Sequence, residues 1–252
     1  MRTKTLLMTA AALAAGIISS QAQTVYSQNV VGYVNISIPA HKSQPVANQL
    51  DTGSNTLDNV FQGTGLVSGS TEVLIWNGAG YNTYTYLNCS ASPTVPGQAG
   101  FWNSALTVDA GTNTMLAPGG GVFMLNGSGA TITIPTVGQV VQGTNLYAIA
   151  KGANIYSVPQ PLASTPIDQS PINFPVVSGS TEYLQWNGAG YNTYTYLNCS
   201  ASPTVPGQAG FWNSSLSIDE DTNPAAWPSA GGSFFILNPG SATTWTNVFA
   251  VQ

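Results

Sequence analysis

The stretch WNGAGYNTYTYLNCSASPTVPGQAGFWNS occurs twice, from Trp76 to Ser104 and from Trp186 to Ser214, without one changed residue. Extended back to Val67 and Val177, the copies differ only at Val73/Tyr183 and Ile75/Gln185, at a spacing of 110 residues. Fainter echoes reach further: Gln28–Gly32 with Gln139–Gly143, Leu57-Asp58 with Ile167-Asp168, Phe123–Asn126 with Phe235–Asn238. Two units follow, 26–136 and 137–252, each long enough for a small core. Two copies at so long a period imply a tandem pair or one pseudo-twofold domain, not a solenoid.

The first residues have the form of an export leader. Arg2 and Lys4 precede an apolar run, Leu6–Ile18, that is short for a membrane span, and Ser20-Gln21-Ala22 offers small residues for cleavage after Ala22. The expectation is a signal peptide over 1–22 and a mature protein that is secreted or periplasmic, from a bacterium. Beyond the cut stand two lysines, Lys42 and Lys151, against nine acidic residues. Two cations cannot neutralise a phosphate backbone or hold an anionic bilayer, so neither nucleic acid nor a membrane is expected as a partner.

Charged residues make up 5% of the chain, far below the usual quarter, yet 43% is hydrophobic and 10% aromatic. Such a chain can build a core and must keep its surface wet with Asn, Thr, Ser, Gln and Gly. Aromatic and β-branched residues at Glu72–Trp76 and Tyr81–Leu87 flank Asn77-Gly78-Ala79-Gly80, the signature of a hairpin. Positions 73 and 75 share one face of that strand. Since Ile75 becomes Gln185, that face is expected to be wet, with Leu74 and Trp76 pointing inward. Further strands are expected at Val25–Ile38, Gly121–Asn126, Ala130–Thr136, Asn145–Ala150, Ser233–Leu237 and Thr243–Ala250, with single helical turns at Asn55–Phe61 and Ser164–Asp168. The fold class predicted is all-β: two tandem antiparallel units, sandwich- or barrel-like.

Catalytic constellations are sparse. The one histidine, His41, lies in a turn-like Pro39-Ala40-His41-Lys42, and no G-x-S-x-G elbow exists, which argues against a Ser/His/Asp hydrolase and against a histidine-rich zinc site. Asp51-Thr52-Gly53-Ser54 resembles the active-site signature of pepsin-like aspartic proteases. That chemistry needs a second carboxylate, and the matching stretch of the other unit, Leu162-Ala163-Ser164-Thr165, has none. Turn chemistry explains the same residues. Asp219, Asp221 and Asn223 alternate as oxygen ligands of a calcium loop would, but Pro224 follows where an EF-hand wants glycine. Calcium is kept as a candidate cofactor there. A carboxylate pair for glycoside hydrolysis would have to come from Glu72, Asp109, Glu182, Asp219, Glu220 and Asp221, and linear spacing pairs none of them.

Cys89 and Cys199 are equivalent positions and candidates for a disulfide in an oxidising compartment. Equivalent residues of tandem units usually lie far apart, which favours unpaired thiols. The remaining candidates are the rings of the repeated hairpin region: Trp76, Tyr81, Tyr84, Tyr86 and Trp102, with Trp186, Tyr191, Tyr194, Tyr196 and Trp212. Flat apolar platforms beside neutral amides suit a polysaccharide or cell-surface glycan; the same rings also serve as ordinary β core.

The opening Val25-Tyr26-Ser27-Gln28-Asn29-Val30-Val31-Gly32-Tyr33-Val34-Asn35, the Asn55-Thr56-Leu57-Asp58-Asn59-Val60-Phe61 stretch and the Trp-Asn-Gly-x-Gly-Tyr hairpin resemble a group of uncharacterised exported bacterial proteins. The resemblance spans most of the mature chain and implies the two-unit layout; it brings no activity. The near-identity of the central segments is a departure from that group and fits recent copying within the gene. The function expected is non-catalytic binding or surface interaction, with neutral glycans favoured. Alternatives are a structural subunit of an extracellular matrix and a carboxylate-based hydrolase.

Overall fold

Asn77 shows why the hairpin forms. Its carboxamide oxygen accepts the backbone N–H groups of Ala79 (3.1 Å) and Gly80 (2.9 Å), and Gly78 supplies φ +94°, so the chain reverses within four residues. Asn187 repeats the contacts in the second copy. The computed structural model describes residues 30–62, 65–88, 99–198 and 209–251. Residues 1–22, read from the sequence as an export leader, and both cysteines lie outside these.

All sheets pair antiparallel. In the first half, β2 (Lys42–Ala47), β3 (Thr71–Trp76), β4 (Tyr81–Leu87), β5 (Gly100–Asn103) and β6 (Gly121–Asn126) form a sheet of order β2-β6-β3-β4-β5. β1 (Val31–Ile38) pairs with β7 (Ile132–Gln139) as a two-stranded ribbon. In the second half, β9 (Gly152–Tyr156), β10 (Glu182–Trp186), β11 (Tyr191–Leu197), β12 (Gly210–Asn213) and β13 (Phe234–Asn238) take the order β9-β13-β10-β11-β12. There the ribbon is β8 (Gly143–Ile149) with β14 (Thr243–Phe249). The sheets are open and do not close into a barrel. Helix is confined among the described residues to α1 (Leu57–Val60) and a 3-10 turn at Pro224–Ala226; none is long and apolar enough to cross a membrane.

Strands β2, β5, β9 and β12 were not expected from the sequence. Pro45 and the Pro39–Lys42 turn hide β2, and Gly100 and Gly152 make β5 and β9 read as loop. Only the first expected helical turn forms as a helix; Ile167 and Asp168 lie in a plain turn.

Alternation assigned the wrong face to water. Val73 and Tyr183 are sealed, at 0% and 1% exposure. Tyr183 sits in the core of the second half, under the ribbon that contributes Ile149 and Trp245. Gln185, by contrast, is only half-buried, and its amide is satisfied at both ends: Tyr194 Oη donates to its Oε1 at 3.1 Å, and its Nε2 donates to the carbonyl of Ala225. The other face is covered as well. Leu74 and Trp76 join Leu184, Trp186, Phe123, Phe235 and Ile155 in an apolar seam between the two five-stranded sheets. From Val31 onward the chain clusters into one compact unit.

Candidate functional site

The seam arranges its rings in pairs that exchange halves. Trp76 meets Phe235 edge-on (5.8 Å between centroids) and Trp186 meets Phe123 (5.4 Å). The indole N–H of Trp76 donates to Ala153 O at 2.6 Å; that of Trp186 donates to Ser43 O at 3.0 Å. Tyr81 and Tyr191 stand at the rim, 40% and 37% exposed, and share a phenol–phenol hydrogen bond. Burial raises both phenols above their usual range.

The ten rings singled out from the sequence therefore have different fates. Trp102 and Trp212 are 1% exposed and Tyr194 is 7% exposed, so none of the three can offer a platform to a ligand. They were singled out as aromatic rings beside neutral amides, and here such rings serve as core. Tyr86 and Tyr196 are half-buried against Phe101 and Phe211, and Tyr84 is half-buried on β4. Trp76 and Trp186 are half-buried, while Tyr81 and Tyr191 are the most open.

One large concavity lies beside Trp186. This open groove of about 960 Å³ runs between the exposed Asn35 and Ser37 of β1, the start of β2, the β10–β11 turn at Asn187, and the segment from Trp227 to Ser233. Among the described residues its lining holds one cation, Lys42, and no Asp or Glu. Tyr183 and Gln185 also line it, and these are the only two residues that differ between the long repeated segments. Both grip the same wall: Tyr183 Oη donates to Ala226 O (2.9 Å) and Gln185 holds Ala225. Tyr183 also packs on Trp227 at 5.2 Å. The two substitutions thus build the groove's wall in the second copy.

The acidic residues gather elsewhere. Asp58 Oδ1 accepts the backbone N–H of Phe101 (2.9 Å) with Asp109 beside it, and burial pushes Asp58 up to about 6. In the second half Asp221 accepts the N–H of Phe211 (3.0 Å) and the amide of Gln169 (3.1 Å), next to Asp168 and Asp219. Burial, then the neighbouring acids, lifts Asp168 to about 7, and burial lifts Asp221 to about 6. Asp58 and Asp168 were visible in the sequence only as one of the faint echoes; their partners lie far along the chain. Beside Asp58 is a smaller pocket of about 160 Å³ walled by Phe61, Leu66, Tyr86 and Phe101.

Asn223, the third residue of the candidate calcium loop, is engaged in its own turn. Its Oδ1 accepts from Ala225 N (3.1 Å), capping the 3-10 turn, and its Nδ2 donates to Glu220 (2.7 Å). No group of three or more His, Cys, Asp or Glu placed to hold a metal is found among the described residues. Asp51 is spent on its own turn, accepting from Gly53 N and Asn55 Nδ2, both at 2.8 Å. His41 is exposed at φ +56° in the β1–β2 turn. Comparison with protein-family profiles, with curated proteins and with solved structures found no match to this chain.

Proposed function

We propose that this chain is a non-catalytic binding protein of the cell exterior, and that its ligand is a glycan lodged in the groove beside Trp186. One observation carries the reading: a half-buried indole lies along a groove lined, Lys42 apart, by uncharged groups, with the hydrogen-bonding side chains of Asn35, Gln44 and Asn187 among them. A sugar ring offers an apolar face to such an indole and hydroxyls to such amides. The location outside the cell rests on the leader.

Affinity electrophoresis through gels containing soluble xylan, β-glucan or mannan tests the reading. At least one polymer should retard the protein, and Asn35→Ala with Ser229→Ala, both exposed on the groove, should restore free mobility while leaving the unfolding temperature in place. Unretarded migration in every polymer counts against it.

A carboxylate-based hydrolase is the second reading, favoured by one feature: Asp58, held at about 6 beside Asp109, borders a pocket. An acid poised near neutral pH can donate a proton to a leaving group. Release of reducing ends at pH 5, lost in Asp58→Asn, would support this reading over the first.

A further inference from the structure

We propose that the groove selects glycans bearing an anionic substituent, a uronic carboxylate or a sulfate ester, through the ammonium of Lys42; this rests on the glycan reading above. After residue 22 the sequence holds only two lysines and no arginine, and one of the two, Lys42, lines the groove beside Trp186. No carboxylate lines the groove with it. In a chain of formal net charge −5, that makes this concavity a local positive spot on an acidic molecule.

The lysine is placed relative to the indole. Ser43, the next residue, accepts the indole N–H of Trp186 at 3.0 Å, so the backbone carrying Lys42 is tied to the ring that would carry the sugar. Gln44 in turn donates to Ser37 O at 2.9 Å, fixing the start of β2 to β1. The backbone at the root of Lys42 is held, and the residue itself is exposed. An ammonium is a compact charge with three donors, suited to a single carboxylate or sulfate rather than to a planar fork. A uniformly charged polyanion would meet the acidic remainder of the surface, whereas a neutral backbone with occasional acidic units would not.

The test compares glucuronoxylan and polygalacturonate, each beside its carboxyl-reduced form, by titration calorimetry and affinity electrophoresis in low-salt buffer. At least one native polymer should bind about fivefold tighter than its reduced form, with the difference shrinking as salt rises. Lys42→Gln should remove the difference and leave the weaker binding to the reduced polymer; Lys151→Gln should leave the difference intact. Equal affinity for native and reduced forms, or a preference that survives Lys42→Gln, overturns the anion selectivity while leaving glycan binding standing. Failure of every polymer to bind overturns both.

Discussion

Trp76 donates its indole N–H to the carbonyl oxygen of Ala153 across 2.6 Å, from a strand of one five-stranded sheet to the edge strand of the other. The reciprocal bond, Trp186 to Ser43, lies at the same 110-residue offset for both partners. The indole of each repeated segment thus reaches the equivalent strand of the other half, a reciprocal pattern like that of a twofold interface. An unaltered Trp-Asn-Gly-Ala-Gly-Tyr stretch in each half keeps that contact self-complementary.

Breaking the seam should therefore loosen both halves together. Trp76→Ala removes a half-buried indole and strands the Ala153 carbonyl, at a cost of about 2–4 kcal/mol. Trp76→Phe keeps most of the packing and should cost about 1 kcal/mol. Denaturant unfolding followed by tryptophan fluorescence and by far-UV circular dichroism checks this; the two probes should stay coincident in Trp76→Phe.

Tyr183 and Gln185 should be a coupled pair. Tyr183→Val leaves a cavity beneath Trp227 and frees Ala226, costing about 3 kcal/mol. Gln185→Ile costs less alone, and a double-mutant cycle should show coupling of about 1 kcal/mol through the 225–226 segment. The mirror change, Val73→Tyr, overpacks a site that is fully sealed and should destabilise by about 1–3 kcal/mol.

The two halves satisfy one backbone donor in different ways. Asp58 reaches the N–H of Phe101, whereas Asp221 reaches that of Phe211 from the position matching Gly111. A Cβ on Gly111 would fall 2.0 Å from Asp58 Oδ1. Gly111→Asp should therefore destabilise the wild-type chain. In an Asp58→Ala background it should instead recover most of the roughly 1–3 kcal/mol lost with that acceptor. Thermal unfolding of the four variants reads the sign reversal.

Acidification should stabilise the fold. Asp58, Asp168 and Asp221 sit at about 6, 7 and 6, above the ordinary value of 3.8. Between these limits the folded state binds more protons than the unfolded one, so stability is fully present below about pH 4 and declines as pH rises through 6 to 7. The melting temperature should be several degrees higher at pH 5 than at pH 8, each kcal/mol moving it by about 2–4 °C. Asp168→Asn should flatten the profile.

Local signals carried well into the structure and pleat direction did not. The Asn77–Gly80 turn and the period-two runs around it gave strands β3, β4, β10 and β11 nearly to the residue. Which face was dry could not follow from alternation, because Val73 faces its own core and Leu74 faces the opposite sheet. Of the two changed positions on that face, 73/183 is sealed while 75/185 is half-buried, and Gln185 finds a hydrogen-bond partner at Ala225. The groove stayed hidden for the same reason: it draws residues from positions as distant as Asn35 and Ser229. Nothing local marked β2, which contributes Lys42, as a strand.

Hydrogen–deuterium exchange with and without a bound oligosaccharide tests the groove assignment most directly. Protection should appear at residues 35–45 and 185–189, and the matching turn at 75–79 should remain unchanged. Protection centred instead on Asp58 and Phe101, or equal protection of both hairpin turns, would contradict it.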